Sequence, residues 1–72
     1  MKRALRDTDT SMFIKADGGQ TKRIDMARGF GSYDDAVAFC KANRLTHVEL
    51  VARMDDHSEF TVPVPPWNLR PS

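Results

Sequence analysis

Apolar and polar positions alternate at helical spacing in one part of the chain, residues 32–43. Four apolar side chains follow the i, i+3, i+4, i+7 spacing of one helix face: Tyr33, Ala36, Val37 and Cys40. Ser32 is a good N-cap, because its hydroxyl can accept a hydrogen bond from the first turn. We expect Asn43 to adopt the left-handed conformation that ends a helix. A helix this short is marginal alone in water, so its apolar face needs a surface to pack on.

The segments before the helix predict a β-hairpin. Residues 17–20, Asp-Gly-Gly-Gln, supply the positive φ angles of a tight turn. Residues 11–16 form a short apolar run on one side of this turn, and residues 21–28 alternate on the other. In the second segment Ile24 and Met26 are expected to point inward.

The segments after the helix predict a second hairpin. Residues 45–54 alternate strongly, with Val48, Leu50 and Ala52 on one face and His47, Glu49, Val51 and Arg53 on the other. A polar turn at residues 55–58 leads to a further strand, residues 59–64, with Phe60, Val62 and Val64 on its inner face. Pro63 has no N–H to donate, so this strand is expected at the edge of the sheet or to end there.

These elements predict a small α+β domain of order β-β-α-β-β. The antiparallel sheet has about four strands, and one helix packs on one of its faces. Residues 1–10 show no periodicity and are expected to be a flexible lead-in to a single domain at 11–64, which a Pro- and Trp-containing tail at 65–72 follows. The second face of the sheet is expected to be largely open. The side chains that could cover it are Phe13, Val51, Trp67 and Leu69.

The composition limits the chain to one small domain. It has 72 residues and one cysteine, so no internal disulfide can form. No apolar run approaches the length of a membrane span, and the basic residues near the N-terminus are not followed by an apolar signal region. We therefore expect a soluble, cytoplasmic protein with no membrane partner.

Few side chains suggest catalysis or metal binding. Cys40 falls near the C-terminal end of the predicted helix, where the helix dipole opposes thiolate formation, so a small buried core residue is expected. The spacing of His47, Asp55, Asp56 and His57 matches no zinc signature. We expect no enzymatic activity, no cofactor and no metal.

The charges are unevenly distributed along the chain. Residues 1–31 carry seven basic and four acidic side chains, a net charge of +3, whereas residues 32–62 carry a net charge of −3. Lys22, Arg23 and Arg28 could place a basic stripe on the first hairpin and contact phosphates. Nucleic-acid binding by this hairpin is the alternative function. The near-neutral pI of about 7.9 is lower than nucleic-acid-binding domains usually show.

The interpretation we favour is a small non-enzymatic binding protein that acts through protein–protein contact. Small phage- or plasmid-encoded inhibitors or regulators of host systems share this size and architecture. A homodimer formed through a sheet edge or the open face is also plausible. The candidate partner-binding residues are Phe13, Lys22, Arg23, Arg28, Val51, Trp67 and Leu69.

Overall fold

The computed structural model describes residues 1–64 and arranges them as an antiparallel five-stranded sheet with an α-helix and a short 3-10 helix. The strands are β1 (Lys2–Asp7), β2 (Phe13–Ile14), β3 (Gln20–Thr21), β4 (Val48–Arg53) and β5 (Glu59–Pro63). The helix α1 comprises Tyr33–Asn43, and the 3-10 helix comprises Ile24–Met26. The sheet order is β3-β2-β1-β4-β5. The predicted small α+β domain is confirmed, with five strands in this part of the chain instead of about four.

The central strand of the sheet is β1, in the segment expected to be a flexible lead-in. It pairs with β4 from Lys2↔Arg53 to Asp7↔Val48, and with β2 at Arg6↔Phe13. The expectation for residues 2–7 is therefore wrong. The apolar residues Ala4 and Leu5 are adjacent and bury one side chain on each face. A strand covered on both faces shows no alternation in its sequence.

The predicted start of α1 is confirmed, and its end differs by one residue. The Ser32 hydroxyl accepts a hydrogen bond from the Asp35 backbone N–H at 3.2 Å. The left-handed residue is Arg44, with φ 56° and ψ 41°, not Asn43. Asn43 is the last helical residue, and its side-chain amide donates to the Phe39 carbonyl at 2.9 Å.

The first hairpin has the predicted turn but a much shorter second strand. Gly18 has φ +88°, and the Lys15 N–H donates to the Gly19 carbonyl at 2.8 Å. The strand that was expected over residues 21–28 ends at Thr21, and the 3-10 helix replaces the remainder. Ile24 is buried as expected, whereas Met26 is 58% exposed and does not point inward.

Two apolar clusters lie on opposite faces of the sheet. The first, on the helix side, comprises Leu5, Ile14, Phe30, Ala36, Cys40, Val48, Leu50 and Val64. The second comprises Ala4, Phe13, Ile24, Ala27 and Val51. The segment around the 3-10 helix thus covers the central part of the face that the sequence indicates to be open. Phe13 and Val51 are only 5% and 0% exposed, so they offer no accessible surface to a partner.

Replacing Leu5 by Ala tests the role of β1. Leu5 is fully buried at the centre of the sheet, so we expect Leu5→Ala to lower the free energy of unfolding by about 2–5 kcal/mol, measured by urea denaturation. Met26→Ala is the matched control and should change it by less than about 0.5 kcal/mol, because Met26 is exposed. A Leu5→Ala value as small as that of the control would contradict a central β1.

Replacing Arg44 by Gly tests the left-handed end of α1. Glycine adopts positive φ without the steric cost that Arg44 bears, so Arg44→Gly should stabilise the fold by about 0.5–1 kcal/mol. Asn43→Gly, one residue earlier and helical, should destabilise it by a similar amount. Thermal unfolding of the two variants checks the contrast, and equal effects of the same sign would rule it out.

Candidate interaction surface at the sheet edge

The strand β5 is exposed along its whole length. All of its residues, Glu59–Pro63, are exposed, and within residues 1–64 its strand pairing is to β4 alone. The predicted edge position of this strand is confirmed. A sheet edge exposes backbone N–H and C=O groups to which another strand can bind.

The backbone groups that face outward from β5 follow from its register with β4. Pro63 has no N–H, so its pairing with Glu49 is of the non-hydrogen-bonded type. At the other end of the hairpin the Met54 N–H donates to the Ser58 carbonyl at 2.8 Å, so residues 54 and 58 form a hydrogen-bonded pair. Counting from this pair gives the same alternation of hydrogen-bonded and non-hydrogen-bonded pairs along β5. The backbone N–H and C=O groups of Phe60 and Val62 therefore point toward β4 and form hydrogen bonds with it. The N–H and C=O groups of Glu59 and Thr61, and the C=O of Pro63, point away from it.

Two large apolar side chains on β5 face the helix side of the sheet without being covered. Val62 pairs with Leu50 and Phe60 pairs with Ala52, which places both on the face of the helix-side cluster. Their exposed fractions are 42% for Val62 and 56% for Phe60. The alternation in the sequence identified their face correctly, and only the extent of the helix shows that they remain exposed.

Charge at this edge is nearly balanced. Glu59 is the one ionisable side chain of β5, and its carboxylate accepts hydrogen bonds from the Arg53 guanidinium at 2.6 and 3.0 Å. Both side chains are more than one-third exposed, so the pair adds little stability. Its consequence is that a second strand meets no uncompensated charge at β5.

We define the β5 surface as the outward backbone groups of Glu59, Thr61 and Pro63 together with the side chains of Phe60 and Val62. At one end of it the Tyr33 hydroxyl approaches the Pro63 carbonyl at 3.5 Å, which is consistent with an outward-pointing carbonyl. A carbonyl oxygen has two lone pairs, so this contact leaves Pro63 able to accept a second hydrogen bond.

The basic residues predicted on the first hairpin are partly engaged within the fold. Arg23 donates to the Asp25 carboxylate at 3.1 and 3.3 Å, and this hydrogen bond lowers the pKa of Asp25. The guanidinium of Arg28 lies 5.1 Å from the ring centre of Phe30 and 4.8 Å from that of Phe39. Lys22 is exposed.

A shallow cavity of about 380 Å³ adjoins Arg28, lined also by Phe30, Phe39 and Asp35. Two glycines, Gly29 and Gly31, complete much of its wall. The carboxylate of Asp35 opposes the positive charge of Arg28, so the cavity is not a simple anion site.

The remaining candidates lie outside the described residues, are buried, or are not grouped into a site. Trp67 and Leu69 are among residues 65–72, outside the part of the chain that the structure describes. Cys40 is 0% exposed, and burial raises the pKa of its thiol. His47 and His57 are exposed. Within residues 1–64 no three His, Cys, Asp or Glu side chains lie together in a way that could hold a metal ion.

Comparisons with known proteins give no relative for this chain. No family model, no curated protein and no solved structure matches it. Within residues 1–64 no helix is both long and apolar enough to cross a bilayer.

Thiol alkylation tests whether Cys40 is available for chemistry. Only the thiolate reacts, and both burial and the raised pKa disfavour it, so iodoacetamide should modify the folded chain at least about 100-fold more slowly than the urea-unfolded chain. Mass spectrometry measures both rates on the same protein. Rapid alkylation of the folded chain would contradict this prediction, because it would indicate a reactive thiol that could serve in catalysis.

Proposed function

We propose that this chain is a non-enzymatic binding protein that recognises another protein through the β5 surface. The observation that supports this most strongly is the coincidence, on one strand, of outward backbone groups with the exposed side chains of Phe60 and Val62. Strand addition uses both features, since main-chain hydrogen bonds give affinity and alternate side chains give specificity.

The exposed apolar side chains make this edge suited to protein contact. Edge strands in proteins that avoid association usually carry charges, prolines or inward-pointing polar groups. In β5 the single charge of Glu59 is paired with Arg53, and Pro63 stands at the end of the strand. The three residues between them, Phe60, Thr61 and Val62, are uncharged and favour extended structure.

Nucleic-acid binding by the first hairpin remains the alternative proposal. The carboxylate of Asp25 compensates the charge of Arg23, and the guanidinium of Arg28 lies over two phenylalanine rings, so fewer free basic side chains face a phosphate than the sequence alone suggests. The net charge of +1 also gives the chain little overall electrostatic attraction to nucleic acid. Protein contact is therefore the function that the geometry supports better, and a phage- or plasmid-type inhibitor or regulator is one form that it could take.

Site-specific photocrosslinking in the cells that naturally produce the chain tests this proposal. A benzophenone-bearing phenylalanine analogue at position 60 should yield adducts with protein, identified by peptide sequencing. The same analogue at position 26 is the matched control, because Met26 is as exposed as Phe60 but lies outside β5. We expect adducts at position 60 that nuclease treatment leaves unchanged and that Val62→Asp abolishes.

Two results would count against protein binding at β5. One is the same set of adducts from positions 26 and 60, which would show indiscriminate contact. The other is binding of nucleic acid that falls steeply with salt and is lost in a Lys22→Ala, Arg23→Ala and Arg28→Ala triple variant, which would favour the alternative.

A further inference from the structure

We propose that the protein bound at the β5 surface is a second copy of this chain, which pairs antiparallel with β5 about a two-fold axis at Thr61. This inference rests on the proposed function and names its partner. The two sheets would join edge to edge into one continuous sheet, and the two-fold axis would run perpendicular to it. Such an interface is isologous, so each contact occurs twice.

The backbone of β5 is compatible with this axis. Glu59, Thr61 and Pro63 direct backbone groups outward, so the hydrogen bonds to a second strand must come from these residues. With Thr61 opposite the partner's Thr61, the two residues exchange a pair of N–H···O=C bonds. Glu59 then lies opposite the partner's Pro63, where the Glu59 N–H donates to the proline carbonyl. The missing N–H of Pro63 costs one bond on each side, so four of six ladder bonds form.

Axes at the other two residues with outward backbone groups, Glu59 and Pro63, would form fewer hydrogen bonds between the two strands. An axis at Glu59 would place Thr61 opposite the partner's His57, a turn residue with φ +71° that cannot continue a ladder. An axis at Pro63 would set two residues without N–H groups against each other, so neither could donate.

An axis at Phe60 would also form four ladder bonds, between Glu59 and the partner's Thr61, but it would place Val62 opposite the partner's Ser58, a small polar residue. We therefore place the axis at Thr61, because it pairs both exposed apolar side chains of β5 with each other.

The side chains support the same register. With Thr61 on the axis, Phe60 of each copy lies opposite Val62 of the other, on the helix side of the sheet and at a non-hydrogen-bonded position, where side chains are closest. Aromatic and β-branched residues form favourable cross-strand pairs, and this axis creates two of them. Phe60 and Val62, 56% and 42% exposed in one copy, would contact each other across the interface.

Electrostatics does not oppose the pairing. The one ionisable residue of the strand, Glu59, faces a proline of the partner and keeps its own Arg53. Thr61 faces Thr61, a pair whose hydroxyls are compatible on adjacent strands. No like charges are brought together by the five residues of β5.

Sedimentation equilibrium of the full chain, with variants on and off the axis, tests the dimer. Thr61→Pro removes an N–H that β4 does not use, so the fold should persist while dimerisation weakens at least about tenfold, whereas Thr61→Val keeps the N–H and should dimerise like the parent. Phe60→Ser should weaken dimerisation by about 100-fold, because the change acts twice in each dimer. Met26→Ser is the matched control and should have no effect. Circular dichroism confirms folding of each variant.

Oxidative trapping tests the register independently. Thr61→Cys should form an intermolecular disulfide, because residue 61 is the one position opposite itself and paired Cα atoms lie within disulfide reach. Ser58→Cys on the same hairpin should not, since its partner's residue 58 would lie about 20 Å away along the strand. Equal trapping at both positions would overturn the register.

The outcomes separate this inference from the proposed function. A chain that stays monomeric at every concentration, but crosslinks to a different protein from position 60, would overturn the dimer and leave protein binding at β5 standing. A dimer that Thr61→Pro and Phe60→Ser leave intact would also overturn it, because association would then use another surface. A dimer weakened by both variants and trapped at Thr61→Cys supports it.

Discussion

The fold depends on the pairing of β1 with β4. This ladder runs over six residue pairs and places the first strand of the chain between the two hairpins, so that the sheet is continuous from β3 to β5. Leu5 on one face and Ala4 on the other each enter a different apolar cluster. Because both clusters use the same strand, we expect the loss of β1 to disrupt both of them, so that the small domain unfolds as one cooperative unit.

The size of the covering elements explains why one edge stays exposed. An α-helix is about 10 Å wide with its side chains, whereas five strands span about 19 Å. A single helix of 11 residues therefore covers only part of one face. The buried helix residues Ala36 and Cys40 share a cluster with residues of β1, β2 and β4 and with Val64, and the side chains of Phe60 and Val62 remain outside it. The other face is covered in the same partial way by the 3-10 helix segment, which contributes Ile24 and Ala27.

The exposed edge combines features that favour association with features that limit it. Pro63 removes one ladder donor, and the strand is only five residues long, which restricts the registers that a second strand can adopt. Phe60 and Val62 favour association, because their exposed surface lies beside backbone groups that β4 does not use. The proposed pairing therefore requires a partner strand of matching register, which indiscriminate aggregation does not supply.

Local patterns in the amino-acid sequence are enough to predict four features of this fold: the Ser32 cap and the apolar face of α1, the Asp-Gly-Gly turn, the strong alternation of β4, and the edge position of β5 that Pro63 indicates. Each of these follows from side chains within a few residues of one another. Three other features depend on contacts between distant parts of the chain: the central position of β1, the 3-10 helix at residues 24–26, and the burial of Phe13 and Val51 while Phe60 stays exposed. A strand covered on both faces has no periodic pattern, and whether an inward-facing side chain is covered depends on how far a distant helix reaches across the sheet.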